Sequence, residues 1–243
     1  SSGLVGSEMC IRDSNYSELK KYQIDYFGFI FYEKSPRYIL NNPDHAFIKN
    51  IKNKVAVFVD ENIDTVISIL EKYNFSYVQL HGNESSNYCM KLKSEGIKIV
   101  KSYLINSHDD LINIKMHKET ADYFLFDYKS SKYGGSGKTF DWEILNDKSF
   151  DKPFFLSGGL SLDNLSNINM MKDNEMLYGL DLNSKFEKSP GLKDKEKIDK
   201  LFNLDLTLEA FCLFYRNDII GLPNINPNGL LMPKIETNNS HNL

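Results

Sequence analysis

Two side chains of this chain stand where they could move a proton or grip an anion. Asp127 closes the apolar run Tyr123 to Phe126, and Arg37 follows Ser35 and Pro36 just after the run Tyr26 to Tyr32. At the ordinary aspartate pKa of about 3.9, protonating the side chain at pH 7 costs about 4 kcal/mol. Asp127 can therefore act as a general acid only where burial or a negative neighbour raises that value. Its other reading is a loop or helix cap, and the residues alone weigh the two equally. Arg37 carries a planar fork that suits a carboxylate or phosphate; its bland alternative is a solvated surface arginine. Gln79 and His81 flank Leu80 at the end of another apolar run. His81 could hydrogen-bond a ligand or simply shape the turn through Gly82, Asn83 and Glu84.

Small-residue loops add a second kind of chemistry. Gly134, Gly135, Ser136, Gly137, Lys138 and Thr139 end in the Gly-Lys-Thr of a nucleotide loop, but that loop needs a glycine where Lys132 stands. What is left is an amide-rich segment able to wrap an anion, or a plain surface turn. Ser157, Gly158 and Gly159 follow one apolar run, and Asn183 and Ser184 follow the next. Backbone N–H groups at such places build phosphate sites, and three loops of this kind together favour a phosphate. The cysteines Cys10, Cys89 and Cys212 are far apart and lack CxxC spacing, so neither a disulfide framework nor a metal cage is suggested. Cys89 and Cys212 read as packing residues, and Asp60 reads as a cap for a helix starting near Asn62.

These residues need elements that bring them to one place. The runs Tyr26 to Tyr32, Val55 to Val59, Tyr77 to Leu80, Ile97 to Lys101, Tyr123 to Asp127, Phe154 to Ser157 and Gly179 to Leu182 read as strands. Segments of helical period separate them: Ile63, Val66, Ile67 and Leu70 share one face, as do Tyr88, Cys89 and Leu92 ahead of Gly96, and Ile198, Leu201 and Phe202. A short helical stretch, Ser17 to Tyr22, precedes the first strand. So many parallel strands fit a closed (β/α)8 barrel better than an open sheet, and in a barrel the strand ends carry the site. The eighth strand would have to lie near the N-terminus, where only Met9, Cys10 and Ile11 could pair.

Composition narrows the partners. The chain has 243 residues, 41% of them hydrophobic, with 29 basic against 33 acidic side chains and a net charge of -4. No basic excess points to nucleic acid, no apolar run is long enough for a bilayer, and no secretory signal opens the sequence, so the expectation is a cytoplasmic protein. Residues 1–14 are small and polar and read as a non-native segment, an expression scar or sequencing read-through. Residues 15–202 read as the barrel, and 203–243 as an Asn- and Pro-bearing extension, partly disordered.

From Ile24 to Phe202 the sequence resembles the phosphoribosylanthranilate isomerase family. The likeness is carried in order by GFIFYEKSPRY (28–38), VAVFVDE (55–61), VQLHGNE (78–84), FLFD (124–127), GGSGKTFDW (134–142), FLSGGL (155–160) and GLDLNSKFEKSPGLKD (179–194). The resemblance implies an Amadori rearrangement of N-(5-phosphoribosyl)anthranilate, an aldose to ketose isomerisation without metal or cofactor, on a small phosphorylated substrate, by a monomer or homodimer. Asp127 matches the general acid and Arg37 the residue that holds the anthranilate carboxylate. Gly134, Gly135, Gly158, Gly159, Asn183 and Ser184 match the phosphate cradle, and Gln79, His81 and Asp181 join the substrate-binding set. The family's general base is a cysteine ending the first strand, and Cys10 lies slightly short of that distance before Gly28. The pattern departs at Ile11, where the family has glycine, at Ser7-Glu8-Met9 in place of an apolar strand, and at Lys185 after Asn183 and Ser184. A phosphosugar-binding barrel that lacks its base and does not turn over is the alternative expectation.

Overall fold

The computed structural model describes residues 13–22, 24–128, 141–146, 151–171 and 174–203. Its frame is a parallel sheet of seven strands: β1 Phe27–Ile30, β2 Lys54–Phe58, β3 Tyr77–Leu80, β4 Lys98–Ile105, β5 Tyr123–Tyr128, β6 Phe154–Leu156 and β7 Leu177–Leu180. They lie side by side in chain order, β1 through β7. Registers such as Val57↔Gln79, Leu104↔Asp127 and Leu156↔Leu180 keep all the C-terminal strand ends on one rim. This is the curled sheet of a (β/α)8 barrel. The expected eighth strand, before residue 13, lies outside the described residues.

Local chemistry fixes the helices. α1 spans Asp13–Leu19, earlier in the chain than the expected Ser17 to Tyr22. In α2, Ile63–Tyr73, the buried Val66, Leu70 and Tyr73 form the inward stripe, and Asn74 ends the helix in the left-handed region at φ 57°. Asn62, not Asp60, caps α2 by accepting from the Asp64 N–H at 2.9 Å; an Asx side chain at the residue before the first turn reaches that donor, and Asp60 is two residues too early. In α3, Ser86–Ser94, Cys89 and Leu92 are buried as their spacing predicts. α4, Lys195–Phe202, buries Ile198 and Leu201 under an Asp194 cap. The connections after β4, β5 and β6 contain 3₁₀ segments at His108–His117, Trp142–Asn146 and Leu165–Met171. Asn, Ser and Asp side chains compete for backbone bonds there, and that disfavours regular α-helix. β4 runs four residues past the expected Lys101, and β7 starts two residues before the expected Gly179.

The strands bury both faces, as parallel barrel strands must. Outward residues such as Phe29, Phe58, Val78, Ile99, Phe124, Phe126 and Phe154 pack against the helices. Inward residues Tyr26, Val55, Tyr77, Val100, Tyr123, Leu125 and Phe155 fill the lumen. Its floor is aromatic: Tyr26 meets Tyr77 edge-on at 4.9 Å, and Tyr123 lies 5.0 Å from Tyr178. Above these layers the same inward alternation brings up Gln79, Asp127, Ser157 and Asp181, so the lumen turns from apolar to polar at the C-terminal rim.

Candidate active site

The rim gathers the proton-handling residues. Asp127 lies on β5 next to Tyr128, whose N–H donates to its Oδ1 at 2.7 Å. Its Oδ2 is 3.4 Å from Nε2 of His81. Gln79 Nε2 lies 3.1 Å from His81 Nδ1, so donation from the amide leaves the imidazole proton on Nε2, the nitrogen that faces Asp127. Asp181, just past β7, accepts from Ser157 Oγ at 3.1 Å. Burial first, and then the negative charge of Asp127, push the Asp181 carboxyl above its ordinary range, against the opposing pull of Lys193, Ser157 and His81. Asp127, His81, Gln79 and Asp181 thus lie in one cluster.

Gly158 makes that cluster possible. Its φ of +88° is open to glycine, and a Cβ there would stand 2.5 Å from the Tyr128 nitrogen and 2.7 Å from Asp127 Oδ1. The backbone after β6 therefore presses directly on the Asp127 carboxylate. Gly159 follows at φ +71°, and its carbonyl accepts from Asn164 Nδ2 at 3.0 Å, which fixes the turn.

Beside the turn that carries His81 sits a buried ion pair. Lys101 Nζ contacts Glu84 Oε2 at 3.1 Å, with side chains 3% and 2% exposed, and also the carbonyls of Leu80 at 3.1 Å and Gly82 at 2.7 Å. Glu84 Oε1 accepts from the Asp60 and Gly82 N–H groups at 3.0 and 3.1 Å. Asp60, held at φ 49°, accepts in turn from the Asn83 N–H at 2.5 Å. The pair ties the turns after β2 and β3 to β4, and so fixes the segment that carries His81.

Arg37 stands at another part of the rim. Its Nε lies 3.2 and 3.0 Å from the two Glu187 oxygens, and Nη2 lies 2.6 Å from Oε2. Glu187 opens a small hairpin, β8 Glu187–Ser189 and β9 Leu192–Lys193, turned by Pro190 and by Gly191 at φ +80°. Lys193 Nζ reaches Glu187 Oε1 at 3.3 Å, and the Leu182 carbonyl, Asn183 carbonyl and Asn183 Oδ1 at 3.2, 3.3 and 3.0 Å. Burial would raise the Glu187 carboxyl, but Lys193 and Arg37 outweigh it and hold Glu187 below the ordinary range. Asn183 is the N-cap residue of a 3₁₀ turn, Ser184–Phe186, that follows β7, the neighbour of the strand β6 that leads into the Gly158 loop.

Cys10, Gly134, Gly135 and the 204–243 extension lie outside the described residues. Cys89 is wholly buried, and burial pushes its thiol up to about 11. Sequence reasoning did not single out Glu84, Lys101, Glu187 or Lys193. Glu84, Glu187 and Lys193 stand inside quoted motifs, and the Pro190-Gly191 pair is a turn signal that predicts a hairpin. Lys101 carries no such signal, since a lysine ending an apolar run reads as surface.

The family model for N-(5'phosphoribosyl)anthranilate isomerase matches residues 8–204. An N-(5'-phosphoribosyl)anthranilate isomerase of Parabacteroides distasonis is 39% identical over 193 residues, covering 78% of this chain and 86% of that protein. The crystal structure of phosphoribosyl anthranilate isomerase from Thermotoga maritima aligns with a TM-score of 0.68 at 30% identity, covering 80% and 95% of the two chains. Another isomerase of this name, solved in complex with reduced 1-(o-carboxyphenylamino)-1-deoxyribulose 5-phosphate, aligns at 0.63 and 26% identity over 78% of this chain and 91% of that one.

Proposed function

We propose a mechanism from one premise: the chain belongs to the N-(5'-phosphoribosyl)anthranilate isomerase family and is an isomerase of tryptophan biosynthesis. Asp127 donates a proton to the furanose ring oxygen of N-(5-phosphoribosyl)anthranilate. The C1–O bond then breaks as the anilino nitrogen pushes its electron pair into an iminium. Cys10 as thiolate removes the C2 proton, giving an enolamine that tautomerises to the 2-ketone, so the oxidation levels of C1 and C2 exchange within one molecule. No metal or organic cofactor is required, because the rearrangement is redox-neutral within one molecule and needs only proton transfers. Arg37 holds the ring carboxylate, and amides at Gly134, Gly135, Gly158, Gly159 and the Asn183–Ser184 turn hold the phosphate. Gln79, His81 and Asp181 orient the sugar and its acid. The enzyme works in the cytoplasm as a monomer or homodimer.

One observation carries the acid assignment: Asp127 ends β5 at the rim, with its Oδ2 3.4 Å from His81 Nε2 and the Gly158 backbone held against its carboxylate. The Cys10 assignment is supported by the family match, which begins two residues before it.

The test uses substrate formed in situ, whose fluorescence falls as it rearranges. Asp127→Asn should lower kcat by about 10²- to 10⁴-fold without a change in melting temperature. Activity within threefold of the parent would remove Asp127 from the chemistry.

A further inference from the structure

We propose that Glu187 is a positioning residue, which sets the enzyme's grip on the substrate's ring carboxylate by fixing the plane of the Arg37 guanidinium at the rim. The inference rests on the reading of Arg37 as the carboxylate's partner. Three observations lead to it. Nε and Nη2 of Arg37 both donate to Glu187 Oε2, at 3.0 and 2.6 Å, and Nε is also 3.2 Å from Oε1, so more than one N–H edge of the planar group is engaged and its rotation as well as its position is restrained. Both partners are sheltered, with side chains 13% and 3% exposed, so the contact is screened far less than a surface pair. Glu187 is itself held by Lys193 and by the Gly191 N–H at 3.2 Å, so its fork is anchored to the hairpin rather than free to follow the arginine.

The charge count decides the direction of the effect. Glu187 accepts from two cations, Arg37 and Lys193, so its single negative charge is shared between them. Glu187 therefore does not cancel the grip. It removes the rotamer freedom that a long arginine would otherwise lose on every binding event. Lys193, bonded to the Asn183 carbonyl and side chain, extends this anchoring to the rim position proposed for the phosphate. One chain of charges then joins the holders of both ends of the substrate.

The experiment compares two substrates on the full chain: N-(5-phosphoribosyl)anthranilate and the analogue made in situ from ribose 5-phosphate and aniline, which lacks the ring carboxylate. Glu187→Gln should raise KM for the first about tenfold with kcat within threefold, and leave the kinetics of the second at parental values. Glu187→Asp, which keeps the charge on a shorter arm, should give an intermediate KM and serves if the amide variant folds poorly. Arg37→Lys is the reference, expected to raise KM for the carboxylated substrate alone. If Arg37→Lys shows that selectivity while both Glu187 variants affect the two substrates equally, affect neither, or lower KM, the positioning role is overturned and the Arg37 reading stands. If Arg37→Lys fails to discriminate, the Arg37 reading fails and the inference with it.

Discussion

Two charged pairs, one half-buried and one buried, lie a few residues apart on the same turn, and they are built on opposite principles. His81 faces Asp127, which stands beside a second carboxyl, Asp181; three residues on, Glu84 faces the ammonium of Lys101. In the lower pair unlike charges meet, and protein carbonyls and amides take up what remains of their bonding capacity. In the upper pair Asp127, 27% exposed at the rim, faces His81 and has a second carboxyl, Asp181, as its neighbour. The lower pair spends its electrostatics on holding the turns still. The upper pair leaves a carboxyl, Asp181, raised above its ordinary range by burial and by the Asp127 charge, so the proposed chemistry would sit where charges are less settled than in the pair that holds the turns.

The sharpest way to break this contrast is to empty the lower pair. Lys101→Met leaves Glu84 buried without its counter-charge and should cost about 3–5 kcal/mol in urea denaturation. Adding Glu84→Met should recover much of it, since a well-packed apolar pair replaces a buried ion pair at little cost. Unchanged stability in the single variant would mean that the pair does not hold the turns. Gly158→Ala acts on the upper pair through sterics alone. It should reduce kcat by about 10- to 100-fold by displacing Asp127, and lower stability by about 1–3 kcal/mol through the strained φ.

A smaller effect separates the pairs by pH. Because the Asp181 carboxyl is raised in the folded chain, the folded state holds a proton that the unfolded chain has released above about pH 4. Stability should therefore fall as pH rises from that value through the folded pKa. Asp181→Asn should flatten this decline and stabilise the neutral enzyme by on the order of 1 kcal/mol while slowing turnover. A parental pH–stability curve in this variant would remove Asp181 from the contrast. The smallest expected change calibrates the others: Asn62→Ala, which deletes the α2 cap away from both pairs, should cost about 1 kcal/mol in melting experiments and leave KM unchanged.

Most of the sheet was legible because a barrel strand is buried on both faces, so FLFD and FFLS read as apolar runs whatever their neighbours. Asp127, Gln79 and His81 could be found for the same reason: each is polar where the run stops. Side chains whose partners come from distant segments could not be found this way. Lys101 continues inside β4, and the sequence gives no sign that carbonyls of Leu80 and Gly82 await it. Arg37 and Glu187 are 150 residues apart, and the curl of the sheet brings them together. The Asp60 expectation failed on a two-residue margin, the scale at which capping depends on backbone angles rather than residue type. Asn-rich 3₁₀ connections likewise have no periodic pattern to read.

The tyrosine floor has a kinetic corollary. Among the described residues, Tyr26, Tyr77, Tyr123 and Phe155 pack across the lumen and fill its base, which leaves the polar C-terminal rim as the place where aldose and ketose would meet the barrel. Added ketose should therefore act as a purely competitive inhibitor, excluding its precursor by occupancy alone.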